Sequence, residues 1–370
     1  MKRRALAIAA AVALVAISAG SVAALGASKR ARFDTRVFAQ TPSPGFPARA
    51  YVAPNNRVYE GTYDNPSGSS APSRVFEYAR RGALLRSWTI RGQVLSGSHG
   101  VQVATSDSRG RLVLLDKNPA RVLLLNTRNG RQRTYARFPD LPTCAPVKRA
   151  SACSPNLTDD PPTPNYAAWG RDGSLYVTDY LEAVIWRIPP GGGKPTVWLA
   201  DRRLDGSEFG TTGIVLSADR RTLLVGQQSE GGMGAGDPTT GRIYTVPIRS
   251  SGKPGSLHQL WESQPLDGPD GFAVSRSGRI YVALTVANQI AIITPKGEEV
   301  KRFPSASGTG ANGSPIPFDN PSSAWFDGRR LMVANQSYIA GNTANQAILD
   351  VYAGVRGLRE LIPRNAGVRR

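Results

Sequence analysis

Six positions in this chain are placed to face a common axis: Ala48, His99, Asn165, Thr212, Asp270 and Ser322. Each stands 9 to 13 residues ahead of an apolar Val, Leu or Ile that recurs through the sequence. Asp270 offers a carboxylate, Asn165 an amide oxygen, and Thr212 and Ser322 hydroxyls, the hard oxygen donors that Ca²⁺ prefers. His99, one of two histidines, would with Asp270 draw Zn²⁺ instead. Asp270 or His99 is also the candidate acid or base that would assist water attack beside a Lewis-acidic metal. Each residue has a plainer reading. Asp270 precedes Gly271 and suits a turn, Asn165 follows Pro164 and suits an Asx turn, and His99 suits an inert channel filler.

Cys144 and Cys153 are the only cysteines and lie nine residues apart in a Pro-rich stretch. In an exported chain they are expected to form a disulfide, which would pin the loop by about 2–3 kcal/mol through chain entropy. The stretch Glu230 to Gly236 is Gly-rich but lacks the Lys-Ser/Thr of a phosphate loop. There is no Gly-x-Ser-x-Gly elbow.

The elements that must hold the six positions are legible as a repeat. A Gly or polar turn followed by an alternating apolar strand recurs at Val58, Leu112, Leu175, Leu223, Ile280 and Leu331, with steps of 48 to 63 residues. A second apolar strand follows each copy, and Gly or Asn turns such as Asn129-Gly130 and Lys296-Gly297 close the hairpins. Four strands in each of six repeats predict an all-β, six-bladed β-propeller of four-stranded antiparallel blades. The innermost strands would present the six positions at one channel mouth, roofed by the long loops 140–164, 201–211, 263–269 and 304–321. Two segments compete to close the ring: Arg36 to Ala39, or Arg359 to Ile362.

Three phrases carry a resemblance: Asn165 with Gly173-Ser174-Leu175-Tyr176-Val177-Thr178-Asp179; Gly213 to Leu223; and Pro269-Asp270-Gly271-Phe272-Ala273-Val274. Over most of residues 40–355 the chain resembles the senescence-marker-protein/gluconolactonase/luciferin-regenerating-enzyme group of six-bladed propellers. The resemblance implies a divalent cation, Ca²⁺ or Zn²⁺, held by a Glu, two Asn and an Asp, which polarises a lactone carbonyl. Carried over residue by residue, Asn165 and Asp270 match one Asn and the Asp. Ala48 stands at the Glu position and Thr212 at the second Asn position.

Lys2, Arg3 and Arg4 ahead of an apolar stretch from Ala5 to Ile17 read as an export signal over 1–27, or an uncleaved anchor. A linker over 28–35, the propeller over 36–363 and a basic tail over 364–370 complete the division. With 46 Lys and Arg against 27 Asp and Glu, the net charge is +19. Such a surface would attract anionic cell-wall polymers or membranes nonspecifically, or, since the charges are scattered singly, serve only solubility; no specific nucleic-acid partner is expected. Two functions stay open for the exported, monomeric chain. One is metal-dependent hydrolysis of lactones or related esters, and the other is non-catalytic binding of a small ligand, sugar or cell-wall component. Mass spectrometry of unreduced peptides from exported protein should show Cys144 linked to Cys153, and two freely alkylated thiols would contradict the pairing.

Overall fold

Alternating apolar residues bounded by tight turns fold into six antiparallel sheets of four strands each. The computed structural model describes residues 30–63, 70–144, 152–156, 158–206, 209–229 and 240–368. The export segment over 1–27 lies outside the described residues. All the strands belong to one compact unit, residues 31–370. Among the described residues helix is confined to two short 3-10 turns, Arg202–Leu204 and Thr343–Asn345.

The innermost strands are Pro47–Val52, Val101–Ser106, Pro164–Trp169, Thr211–Leu216, Pro269–Val274 and Pro321–Asp327. They are nearly wholly buried because neighbouring blades cover both faces. Five blades run in chain order from the axis outward. The sixth is completed by the N-terminal strand Thr35–Gln40, which pairs antiparallel with Ala347–Tyr352, Thr35 opposite Val351 and Gln40 opposite Ala347. Of the two competing segments, the N-terminal one therefore closes the ring. It satisfies the edge of the last blade, whose unpaired N–H and C=O groups would otherwise face solvent.

Large aromatic side chains fill the wedges between blades. Trp169 and Trp186 pack with Leu115, Leu175 and Val184 in one cluster. Phe318, Tyr281 and Phe33 pack with Leu331 and Leu349 in another. Phe33 stacks on Phe303 at 4.8 Å and its N–H donates to the Tyr352 carbonyl. The end of the expected linker is thus docked on the last blade.

The C-terminal segment is likewise docked. Leu358 N–H donates to the Val274 carbonyl in blade five, and Ala366 accepts from Ser108 of blade two. Asn365 donates to the Asp172 carbonyl of blade three. The turn residue Gly173, at φ +84°, must lack a Cβ, since one there would lie 2.5 Å from the Asn365 side chain. Residues 358–368 therefore form a strap across the end of the channel opposite the mouth. Their expected division at 364 falls inside it.

A chain beginning at Thr41 should lose the closing strand and become insoluble or melt without a cooperative transition. A soluble truncate with the full-length near-UV signal would show that closure is dispensable.

Candidate functional site at the channel mouth

The second residues of the innermost strands are, in chain order, Ala48, Gln102, Asn165, Thr212, Asp270 and Ser322. Ala48, Gln102, Asn165, Asp270 and Ser322 line a cavity of about 110 Å³. A second ring comes from residues just beyond the second strand of each blade: Tyr63, Lys117, Tyr180, Gln228, Thr285 and Gln336. Phe209, Val286, Tyr338 and Ile339 complete the wall. Of the loops expected to roof the mouth, 201–211 contributes Phe209, whereas no described residue of 140–164, 263–269 or 304–321 lines the cavity.

Asp270 is the one carboxylate among the described lining residues. Burial pushes its carboxyl up to about 8, and the Tyr166 hydroxyl beside it, which favours the ionised form, offsets this only in part. Near neutrality Asp270 therefore carries a proton that it can donate. The Ser322 carbonyl, 2.8 Å from the Tyr166 hydroxyl, competes with Asp270 for its single hydrogen. Gly271 must be glycine, because a Cβ would collide with the Tyr166 hydroxyl.

The amides are the other feature of the cavity. Gln102 is 2% exposed and its Nε2 has no hydrogen-bond partner among the described residues. The buried side chains of Asn165 and Gln336 also make no hydrogen bond among the described residues, whereas Gln228 Oε1 accepts from the Tyr180 hydroxyl at 2.6 Å. Buried amides ordinarily find partners, so unmet ones lining a cavity point to a ligand. Tyr180 and Phe209 stack at 5.4 Å to give the wall a flat apolar panel. Lys117 donates to Ser98 Oγ and lies 5.2 Å from the Tyr63 ring centre.

Beside Ala48, the Arg49 guanidinium is 4.3 Å from the Trp325 ring centre and 5.3 Å from that of Tyr166. Burial lowers its affinity for the proton, and Glu360 of the C-terminal strap is the leading influence restoring it. Glu360 accepts from the Tyr51 hydroxyl at 2.9 Å. A cationic stack thus links the floor of the mouth to the opposite end.

Two of the expected ring residues are placed otherwise. His99 does not line the cavity. Its Nδ1 faces the Gly97 carbonyl and its Nε2 the Ala71 carbonyl, both at 2.9 Å, and the ring position of its blade belongs to Gln102. The signal was in the spacing, since Ala48, Asn165 and Asp270 precede their strand markers by 10 residues, as does Gln102, whereas His99 precedes Leu112 by 13. Thr212 keeps its ring register but is wholly buried, and its hydroxyl turns to the Asp270 carbonyl at 3.4 Å. Ser322 lines the mouth, yet its hydroxyl lies 2.8 Å from the Ala48 carbonyl, its nearest acceptor. Cys144 and Cys153 are joined in a disulfide. Neither lines the cavity; beside the bridge the Leu141 N–H donates to the Glu182 carboxylate and the Ser154 hydroxyl to the Glu182 carbonyl.

Among the described residues no group of three or more His, Cys, Asp or Glu side chains could hold a metal ion. A dication at the mouth would meet one carboxylate, Asp270, with the Lys117 ammonium on the same wall and a methyl group at Ala48. Neutral oxygens alone leave such a charge poorly compensated. The donor set therefore fits a tightly held cation badly.

Residues 206–309 match the model of the SMP-30/gluconolactonase/LRE-like region. That stretch contains Thr212 and Asp270 and excludes Ala48 and Asn165. Among solved structures, a protein assigned to the gluconolactonases is 15% identical, with 88% of this chain and 94% of that one covered and a TM-score of 0.57. Virginiamycin B lyase from Staphylococcus aureus is 15% identical over 84% of this chain and 82% of its own, TM-score 0.51. The calcium-binding protein regucalcin from Agrobacterium tumefaciens is 15% identical over 89% and 98%, TM-score 0.50. No curated protein sequence matches significantly. The chain is thus a six-bladed β-propeller carrying an SMP-30/gluconolactonase/LRE-like region.

The raised Asp270 carboxyl has a definite consequence for stability. Its folded value near 8 lies above the unfolded value of about 3.9, so the folded state holds the proton more tightly. Asp270 therefore costs stability progressively as pH rises from about 4 to about 8, and no further above that. Asp270→Asn should show little change in Tm relative to wild type at pH 4.5 and a gain of several degrees at pH 8.5. Equal differences at both pH values would place the carboxyl in water.

Proposed function

We propose that the channel mouth binds a small uncharged hydroxylated ring, of the sugar or sugar-lactone class. The observation that carries this is the set of buried amides, Gln102, Asn165 and Gln336, lining one cavity without hydrogen-bond partners among the described residues. Amides both donate and accept, which suits hydroxyl groups. The Tyr180–Phe209 panel would cover an apolar ring face, and protonated Asp270 would donate to a carbonyl or hydroxyl oxygen. Binding is the primary reading because the wall supplies one acid and no partnered base.

A second reading, favoured by the match over residues 206–309, is lactone hydrolysis assisted by a divalent cation. The regucalcin structure is described as calcium-binding, which supports testing Ca²⁺ first. Asp270 and Asn165 are the residues that would face such an ion. Both readings place the protein outside the cytoplasm, on the strength of the basic and apolar run in residues 2–17.

Calorimetry with glucono-δ-lactone, glucose and related monosaccharides should detect one binding site, weakened at least about tenfold in a Gln102→Ala, Asn165→Ala double variant, since two hydrogen bonds at about 1 kcal/mol each are lost. No binding by any of these compounds would overturn the proposal. Thermal shifts and lactone hydrolysis with Ca²⁺, Zn²⁺ or Mn²⁺ decide the second reading. Stabilisation by a cation that disappears in Asp270→Ala supports it, and the absence of any cation-dependent shift removes it.

A further inference from the structure

The end of the channel opposite the mouth opens into a far larger cavity, about 1000 Å³, which neither reading of the mouth employs. Its wall is formed by the outgoing ends of the innermost strands, the turns that follow them and the C-terminal strap. Val52, Val215, Trp325 and Phe326 supply partly exposed apolar surface from the blades, and Leu358 and Leu361 supply it from the strap. The volume lies within the range of small-molecule sites.

The charge on this wall is one-sided. Asp107 is paired with Arg111 at 2.6 Å, Asp327 is paired with Arg330, and Glu360 is hydrogen-bonded to Tyr51 and faces buried Arg49. Arg220, Arg276, Arg359 and Arg364 also line the cavity, are exposed, and form no ion pair among the described residues. Two of these come from blades four and five and two from the strap, so the fold converges them from distant parts of the chain. An apolar floor beneath a rim of unpaired guanidinium groups is the complement of a molecule with an apolar body and an acidic head.

We propose that the cavity under the C-terminal strap is a second ligand site, specific for amphipathic anions, with the apolar body against Trp325 and Leu361 and the acidic head held by Arg276 and Arg359. The general attraction of a basic chain to anionic surfaces thereby acquires a localised form. The site is independent of the mouth, because Asp270 and the unpartnered amides lie at the other end of the channel.

Titration of the full chain with butyl and octyl phosphate, each below its critical micelle concentration, tests this by calorimetry and tryptophan fluorescence. Octyl phosphate should bind in a 1:1 complex and tighten by up to about fourfold for each methylene added to the butyl chain, as apolar burial requires. Inorganic phosphate alone should bind far more weakly. An Arg276→Gln, Arg359→Gln double variant, exposed on both sides and so expected to fold, should weaken octyl phosphate at least about tenfold. Equal affinity for inorganic and octyl phosphate would reduce the site to simple anion attraction and overturn the proposal. It is equally overturned if the double variant binds like wild type, or if Asp270→Asn abolishes octyl phosphate binding and so locates it at the mouth. Capture by phosphatidylglycerol vesicles without binding of monomeric octyl phosphate would assign the face to a membrane surface, and that too defeats it.

Discussion

The pairing of Thr35–Gln40 with Ala347–Tyr352 is the constraint on which the rest of the molecule hangs. Each blade presents one residue to the axis, and those residues form a cavity only while six wedges are held at a fixed radius. The first and last blades also meet directly, Ser322 Oγ bonding to the Ala48 carbonyl, and the closing strand fastens that sixth contact through the backbone. A few backbone hydrogen bonds between residues some three hundred apart in sequence convert a row of sheets into a ring. That contact is also the one with the greatest loop-closure cost, which makes it the natural weak point of the fold. Phe33, stacked on Phe303 just ahead of the closing strand, adds apolar burial where the cost is greatest.

Within the ring, burial decides the chemistry more than residue type does. Asp270 would be an ordinary carboxylate in water, but in the mouth it becomes an acid with a value near 8. Other buried acids are spent on structure. Asp179 accepts from the Thr163, Leu181 and Glu182 N–H groups and from the Trp186 indole, and Asp116 pairs with Arg121 at 2.7 Å. Asp270 is left over from this accounting, which is why it defines the site. The Arg49 stack between Tyr166 and Trp325 then connects two cavities of different character, one small and lined with amides, the other large and rimmed with arginine.

The repeat, the strand periodicity and the Gly turns were enough to read six four-stranded blades from the sequence, because alternation and turn residues are local properties. The ring register was legible at Ala48, Asn165, Thr212, Asp270 and Ser322. It failed at His99, where attention to residue chemistry overrode the spacing of 10 that Gln102 satisfies. A histidine attracts a catalytic reading, yet this one is occupied by the carbonyls of Gly97 and Ala71.

The sequence by itself determined the architecture, five of the six inner-ring positions, the disulfide and the excess of positive charge. Only the tertiary structure decided which segment closes the ring, that Thr212 turns away from the mouth, and that Tyr63, Lys117, Tyr180, Gln228, Thr285 and Gln336 form a second ring. It also decided that the C-terminal residues are a strap and not a tail, and that four arginines from separate blades and the strap share one cavity. The physical reason is common to all of these. They depend on contacts between residues far apart in the chain, or on which way a buried side chain turns, and neither leaves a periodic trace in the sequence.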